Sequence, residues 1–140
     1  MNYWLFKSEP GVWSWADQVA KGVAGEEWDG VRNYQARNFM RDMALGDRGF
    51  FYHSQDEKAV VGIVEVCATS HPDSTTGDAR WDCVDIRALA ALKSPVTLAA
   101  IKARDDLSEM VLVRNSRLSV QPVTTAEWDI VCAMGQIEKI

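Results

Sequence analysis

Strand and helix patterns do not alternate along this chain, and their order constrains the fold more than any other feature. Two strand patterns follow one another in the middle, at residues 49–53 and 59–69, with a short polar connection between them. Helix patterns lie near both ends of the chain. Such an order disfavours a doubly wound sheet, which needs regular strand–helix alternation. It predicts an α+β fold, with a small, strongly bent sheet or barrel and peripheral helices.

Three further regions add strands to this sheet. Residues 3–7 are apolar on both faces, which predicts a central strand. Residues 83–88 alternate, with Val84 and Ile86 facing inward. Two shorter strands are expected at residues 111–113 and 118–120.

The strand at residues 59–69 carries a glycine in its interior. Its alternation places one group of small and branched side chains on the same face: Val60, Gly62, Val64, Val66 and Ala68. Glycine weakens a strand interior, so Gly62 predicts either a β-bulge or the close approach of another part of the chain.

Two capping-box patterns mark the starts of helices, Ser14 with Asp17 and Thr124 with Glu127. The first of these helices should end near residue 21. Gly135 suits the position just after the last helix. Further helix patterns cover residues 34–44 and 98–102.

Length, charge and cysteine usage limit the class of protein. With 140 residues, the chain is expected to form a single domain, residues 1–140. Twenty acidic against fifteen basic residues exclude a wholly basic nucleic-acid coat, although a small basic site remains compatible with that charge. No apolar run is long enough for a bilayer and no signal-peptide pattern is visible. We therefore expect a cytoplasmic protein without a membrane partner, in which three widely spaced cysteines are free thiols: Cys67, Cys83 and Cys132.

The usual catalytic and cofactor signatures are absent from the sequence. It contains no glycine-rich dinucleotide or phosphate loop, no paired-cysteine motif and only two histidines. Two nucleophile–base pairs are conceivable, Cys67 with His71 and Ser54 with His53, but strand geometry separates the members of each pair. We therefore expect no catalytic residue, no cofactor and no metal.

Polar and aromatic residues concentrate in three segments at strand ends and turns, where binding groups usually sit: residues 7–10, 28–33 and 52–54. They offer an aromatic face, an amide, hydroxyls and cations. That combination suits a nucleobase removed from its stack, because every base has a flat face and a polar edge. Arginines could contact the neighbouring phosphates: Arg32, Arg37, Arg41, Arg114 and Arg117. Purely structural roles are an open alternative at this point: Trp28 could be a core residue, and the arginines could lie on a solvated helix face.

Five segments resemble those of EVE-domain proteins: residues 3–10, the run WDGVRNYQARN at 28–38, and residues 51–54, 61–66 and 117–123. The resemblance covers nearly the whole chain. It implies a PUA-like fold, a bent β-barrel of about five to seven mostly antiparallel strands with peripheral helices. It also implies kinship with YTH domains, which read a methylated adenine in RNA.

The resemblance further implies roles in a base pocket. Trp28 would form one wall, with its ring open to solvent in a small hollow. The other pocket residues would be Lys7, Ser8, Val31, Arg32, Asn33, Tyr52, His53, Ser54 and Ser119. Tyr52 and Trp13 are the candidates for a second aromatic wall.

The predicted function is a non-catalytic module that recognises a flipped-out, modified base, such as a modified cytosine, of DNA or RNA. Two alternatives come from other classes of protein. One is a small enzyme that acts on a nucleoside or nucleotide derivative in the same cavity, and the other is a protein-interaction module without a base pocket.

Overall fold

Six strands form one mixed sheet in the computed structural model, which describes residues 1–138. They are β1 (Tyr3–Ser8), β2 (Glu26–Glu27), β3 (Arg48–His53), β4 (Ala59–Pro72), β5 (Asp82–Thr97) and β6 (Val120–Val123). Their spatial order is β2-β5-β4-β3-β1-β6. β1 and β3 run parallel, and the other neighbours are antiparallel. The α+β class and the number of strands are confirmed, and β1 lies inside the sheet as predicted.

The sheet is open and does not close into the predicted barrel. β2 and β6 lie at its two edges, and the described part of the chain contains no pairing between them. Both edge strands are short, because β2 has two residues and β6 has four. A turn through Gly30 follows β2, and a helix follows β6 at once, so neither edge can extend to meet the other.

In the described part of the chain, five α-helices surround the sheet: α1 (Trp15–Ala20), α2 (Tyr34–Arg41), α3 (Leu98–Lys102), α4 (Val111–Arg114) and α5 (Thr125–Met134). Both predicted capping boxes are present, at Ser14 and at Thr124, and α3 has its predicted bounds. Within residues 1–138, no helix combines the length and the apolar character that crossing a bilayer requires.

The predictions for residues 111–113 and for the end of α2 are wrong. Residues 111–113 form α4 and not a strand, because Val113 and Asn115 donate backbone hydrogen bonds to Met110 and Val111 in helical turns while Leu112 is buried. Tertiary packing here overrides the strand preference of valine. The helix α2 ends at Arg41 and not at residue 44.

The end of α5 also differs from its prediction. Gly135 is still in the helical conformation, with φ of −79°. The left-handed conformation instead falls on Gln136, with φ of 57°.

Two hydrophobic clusters lie on opposite faces of the sheet. Neighbouring residues of a strand alternate between them, as Phe50 and Phe51 do in β3. The first cluster is centred on Trp128 of α5, whose indole stacks on Phe50 at 4.0 Å between ring centroids. The second cluster contains Trp28 and the buried side of α2. The candidate site lies at the second cluster.

A β-bulge in β4 changes which face each side chain takes. Val60 pairs with Tyr52 and Gly62 pairs with Phe51, so Val61 is the extra residue. Val60 consequently joins the first cluster, whereas Val64 and Val66 join the second. The prediction that these valines share one face is therefore wrong for Val60.

Gly62 combines both of the features predicted for it. It adjoins the bulge, and the ring of Trp15 approaches its backbone so closely that a Cβ atom would lie 2.5–2.6 Å from three ring atoms. Any larger residue at this position would have to displace the indole. Glycine at this position therefore allows α1 to dock against the sheet.

Candidate nucleic-acid interface

A cavity of about 570 Å³ opens beside Trp28, near the end of β1. It lies between the end of β1, the segment before α1 and the segment that runs from β2 toward α2. Six of the predicted pocket residues line it: Lys7, Ser8, Trp28, Val31, Arg32 and Ser119. The other lining residues are Glu9, Val12, Trp13, Glu26, Glu27, Asp29 and Gly30.

Trp28 is largely buried and not open to solvent as expected, with 8% of its surface exposed. Its N–H donates to the Val84 carbonyl oxygen at 2.8 Å, which fixes its backbone to β5. The ring makes edge-to-face contacts with Phe6 and Phe51, with centroid distances of 5.3 and 5.7 Å. Aromatic core residues thus support the indole on one side, and the cavity lies along another side.

Trp13 provides a second aromatic ring at the same cavity. Its indole N–H donates to Gln18 Oε1 at 3.0 Å, and the Ser8 hydroxyl donates to its carbonyl oxygen. Gln18 is completely buried and donates in turn to the Ile86 carbonyl oxygen at 2.9 Å. This chain of hydrogen bonds fixes Trp13 relative to β5 before any ligand arrives.

The buried carboxylate of Asp73 holds the turn after Trp28 in place. It accepts hydrogen bonds from the Gly30 N–H at 2.9 Å, from Arg32 Nη1 at 3.1 Å, and from the backbone and hydroxyl of Thr75. Burial by itself would raise the pKa of Asp73. The hydrogen bonds from Thr75, Gly30 and Arg32 outweigh burial and hold that pKa at about 2. Sequence reasoning missed Asp73, because its partners Gly30 and Arg32 lie more than forty residues away.

Lys7 borders the cavity from β1, where its N–H donates to the Ser119 carbonyl oxygen at 2.9 Å. Its ammonium group donates to the Ser116 carbonyl oxygen and lies 5.8 Å from the centre of the Tyr52 ring. Partial burial lowers the pKa of Lys7. These contacts join the segment before β6 to the cavity.

Four predicted pocket residues do not line the cavity. Asn33 is the N-cap of α2, where its side-chain oxygen accepts from the Ala36 N–H at 2.9 Å. Tyr52 is buried in the first cluster, on the opposite face of the sheet from Trp28. His53 and Ser54 lie at the end of β3, where Ser54 donates to the Ser8 carbonyl oxygen through its N–H and its hydroxyl.

His53 has a structural role. Its Nε2 accepts the Trp15 N–H at 2.9 Å, so that nitrogen carries no proton. Its Nδ1 therefore carries the proton and donates to Glu57 Oε1 at 2.6 Å. Nε2 thus fixes the start of α1 to the end of β3, and Nδ1 fixes the ring to the connection between β3 and β4.

An arginine cluster adjoins the cavity, formed by Arg32, Arg37 and Arg80 around the stacked rings of Tyr34 and Trp81. Arg37 lies 4.8 Å from the Tyr34 ring and donates to the Asn38 side chain and the Arg80 carbonyl oxygen. Within residues 1–138, Arg37 has no carboxylate partner. Sequence reasoning did not include Arg80, which is paired with Asp78.

Two of the other predicted phosphate contacts are already paired with carboxylates. Arg41 forms an ion pair with Asp82 at 2.6 Å, and Arg114 forms one with Glu109 at 2.8 Å. Arg117 is exposed and lies two residues before Ser119.

The cavity carries more acidic than basic side chains. Glu9, Glu26, Glu27 and Asp29 line it together with only two cations, Lys7 and Arg32. Burial, followed by the charges of Asp73 and Glu27, raises the pKa of Asp29. Hydrogen bonds from Ser74 lower the pKa of Glu27. The interior of the cavity therefore favours a neutral ligand with hydrogen-bond donors over an anion.

The cysteine next to His71 is Cys83 and not Cys67, which was the conceivable partner from the sequence. His71 lies 3.9–4.0 Å from the sulfur of Cys83, so its neighbour is not Cys67. The Cys83 thiol donates to Glu27 Oε1 at 3.2 Å, and burial together with Glu27 raises its pKa above the ordinary range. An activated nucleophile requires a lowered thiol pKa. This pair therefore lacks the electrostatics of a nucleophilic site.

The open mixed sheet, its peripheral helices and this two-tryptophan cavity define a PUA-like domain. The family profile described as "EVE domain" matches residues 2–134, and the chain belongs to the EVE domain family. The structure also resembles the YTH domain of Mmi1 in fold, with a TM-score of 0.58 at 12% identity. The family expected from the sequence is thus confirmed, and the likeness to a YTH domain is one of fold.

Relatives of known structure match over nearly their whole length. A protein from Agrobacterium tumefaciens is 62% identical, with 98% of this chain and 94% of that chain covered and a TM-score of 0.97. Human THYN1, solved in complex with 5-methylcytosine-containing DNA, is 33% identical, with coverages of 99% and 100% and a TM-score of 0.89. Mouse thymocyte nuclear protein 1 is 34% identical, covering 98% of this chain and 75% of that protein.

Proposed function

We propose that this chain is a non-catalytic reader that binds one modified base, such as a modified cytosine, flipped out of DNA or RNA into the cavity beside Trp13 and Trp28. The observation that carries the proposal is the pair of tryptophans on one cavity. Stacking of a base on an aromatic side chain contributes about 1–3 kcal/mol. The human relative bound to 5-methylcytosine DNA favours DNA as the partner.

The chemistry of the cavity supports a neutral base more than a phosphate. Its volume, about 570 Å³, lies within the range of small-molecule sites, roughly 300–1,000 Å³. Carboxylates accept hydrogen bonds from the exocyclic amino group of cytosine. Phosphates of the same strand would remain outside, where the arginine cluster offers cations next to the rings of Tyr34 and Trp81.

Recognition of a single methyl group should be modest. Full burial of one methyl contributes about 0.8 kcal/mol, which corresponds to roughly a fourfold difference in affinity. Binding should weaken with salt along a shallow slope, because a chain with a formal charge of −5 neutralises few phosphates.

The free thiols of Cys67, Cys83 and Cys132 support a reducing, cytoplasmic location as part of the proposal.

The base-binding proposal is tested with alanine variants of two half-buried tryptophans, of which one lines the cavity and the other does not. Trp13 lines the cavity, whereas Trp15 packs against Gly62 and Phe51. Fluorescence anisotropy with oligonucleotides carrying modified or unmodified bases, as DNA and as RNA, measures affinity at two salt concentrations. Trp13→Ala should weaken binding about 5- to 150-fold, as loss of one stacking contact requires, while Trp15→Ala stays near the wild type if it is folded.

Arg37 and Arg104 form the second pair of variants. Arg37→Gln should weaken binding to all sequences and reduce the salt slope by about one, as expected for a phosphate contact. Arg104, paired with Asp106, serves as the control. Equal affinity of folded Trp13→Ala and wild type would refute the base cavity, and turnover of a nucleoside by the wild type would refute the non-catalytic assignment.

A further inference from the structure

Three metal-ligating side chains converge beside the cavity, although the sequence predicts no metal. They are Glu27 of β2, His71 of β4 and Cys83 of β5, and their ligand atoms all lie within 4.8 Å of one another. Their sequence spacing matches no zinc motif, because Glu27 lies 56 residues before Cys83. Pairing of β5 with both β2 and β4 brings them together.

We propose that Glu27, His71 and Cys83 form a binding site for a divalent cation of intermediate softness, with Zn²⁺ as its best match. The site is independent of the base-binding proposal. Thiolate, imidazole and carboxylate are the ligands that zinc takes in proteins, and three protein ligands leave a fourth position for water.

The distances between ligand atoms are close to those around a tetrahedral zinc ion. Zinc bonds of about 2.0–2.3 Å separate neighbouring ligand atoms by about 3.6 Å. The Cys83 sulfur lies 3.2 Å from Glu27 Oε1 and 4.0 Å from His71 Nδ1. The third pair, Glu27 and His71, lies within 4.8 Å. The ligand atoms would therefore have to move inward by up to about 1 Å, and the thiol would lose its proton to solvent when the ion binds.

Asp85 orients the histidine in the way that second-sphere carboxylates do. Its Oδ1 lies 2.8 Å from His71 Nε2, so Nε2 donates to it and Nδ1 is left for the ion. Both ring nitrogens lie 3.9–4.0 Å from the Cys83 sulfur. Nδ1 also lies 3.1 Å from the Pro72 carbonyl oxygen, and a cation would replace the proton between them. A carboxylate–histidine–metal arrangement fixes the ring orientation and strengthens the ligand.

A metal ion could reach the Glu27–His71–Cys83 site from solvent, and its binding would hold neighbouring strands together. The side chains of His71 and Asp85 are about one-third exposed, so an ion can enter without opening the core. Glu27 directly precedes Trp28, and the strand that carries it is only two residues long. A bound ion would fix this short strand to β4 and β5, and with it the tryptophan wall of the cavity.

Metal binding is measured on the full chain, produced without a histidine tag, with ZnCl₂ and CoCl₂ as the probes. We expect one zinc ion per chain after dialysis. The Co²⁺ form should show a thiolate-to-metal charge-transfer band and tetrahedral absorption. The melting temperature should rise with zinc concentration.

Four variants decide whether these residues hold the ion. Cys83→Ser should abolish the charge-transfer band, and His71→Asn, at a more exposed position, should weaken zinc binding even if Cys83→Ser does not fold. Asp85→Asn should weaken it about 10- to 100-fold. Cys67→Ser, which removes a thiol outside the cluster, should behave like wild type. Substoichiometric zinc, a Co²⁺ form without the charge-transfer band, or equal zinc affinity of wild type and His71→Asn would overturn the proposal.

Discussion

Replacing Asp73 by asparagine tests the electrostatic support of the cavity most directly. The carboxylate is fully buried in an ion pair with Arg32, and its two oxygens share hydrogen bonds from Gly30, Arg32 and Thr75. An asparagine keeps one acceptor oxygen but turns an amide NH₂ toward donors. A buried donor without an acceptor destabilises a protein, so the folded state should lose stability.

The magnitude follows from the pKa of the carboxyl group. Lowering it from 3.8 to about 2 on folding corresponds to about 2.5 kcal/mol of stability. Because the pKa is lowered, this stabilisation is complete above about pH 4 and is lost as the pH falls toward 2. Asp73→Asn should therefore cost at least about 2.5 kcal/mol near neutral pH. In acid the difference from wild type should shrink by about that amount, to the pH-independent cost of the buried amide donor.

Urea unfolding of wild type and Asp73→Asn across this pH range measures the difference. Asp78→Asn is the matched control, since Asp78 lies in the same loop and its pKa is also held at about 2, by exposed Arg80. Solvent screens that exposed pair, so its loss should change stability little. The reasoning would be refuted if the stability difference between wild type and Asp73→Asn stays constant with pH. It would also be refuted if that difference is no larger than the one for Asp78→Asn.

Two further predictions concern the packing that positions the cavity. Gly62→Ala would place a methyl 2.5–2.6 Å from Trp15 ring atoms and should cost about 1–3 kcal/mol in urea unfolding, whereas Gly77→Ala, with open space around it, should cost much less. Gln18→Ala would leave an indole N–H and a buried carbonyl oxygen without their partner. It should cost about 2–4 kcal/mol and change the near-ultraviolet circular dichroism of the tryptophans, whereas exposed Gln35→Ala should change neither.

Local chemistry explains which parts of the fold were predictable. Ser14 and Thr124 start helices because each side-chain oxygen accepts from the backbone N–H three positions later, and that later residue's carboxylate accepts from the N–H of the capping residue. Both partners lie within one turn. The strand at residues 3–7 was predictable as central because its side chains are apolar on both faces. In contrast, the helix at Val111 depends on the burial of Leu112 against distant residues, which no local pattern reports.

The candidate site was predictable in its residue types and less so in its geometry. Trp28, Val31 and Arg32 share one short segment, and all three line the cavity. The choice between Tyr52 and Trp13 as the second ring depended on the face that each takes. Register and long-range docking decide that face, and the structure places only Trp13 on the cavity.

The contribution of Asp73 escaped prediction for the same reason that Tyr52 was assigned to the wrong face of the sheet. Its loop reads as polar and unremarkable, and only the return of β4 and β5 brings it under Gly30. Buried acids with distant partners leave no periodic pattern in a sequence. Such residues become visible only in the folded structure, where several hydrogen-bond donors converge on one carboxylate.

The extra residue at Val61 has a consequence for how this protein can tolerate changes in length. Because Val61 is unpaired, the alternation of side chains between the two faces of the sheet shifts by one residue at this position. Val60 therefore packs in the first cluster, whereas Val64 and Val66 pack in the second. Deleting that residue would rotate everything beyond it by half a turn and send Val64 and Val66 to the wrong partner layer. Length changes here should be tolerated only in pairs, or with a compensating shift of the irregularity along the strand.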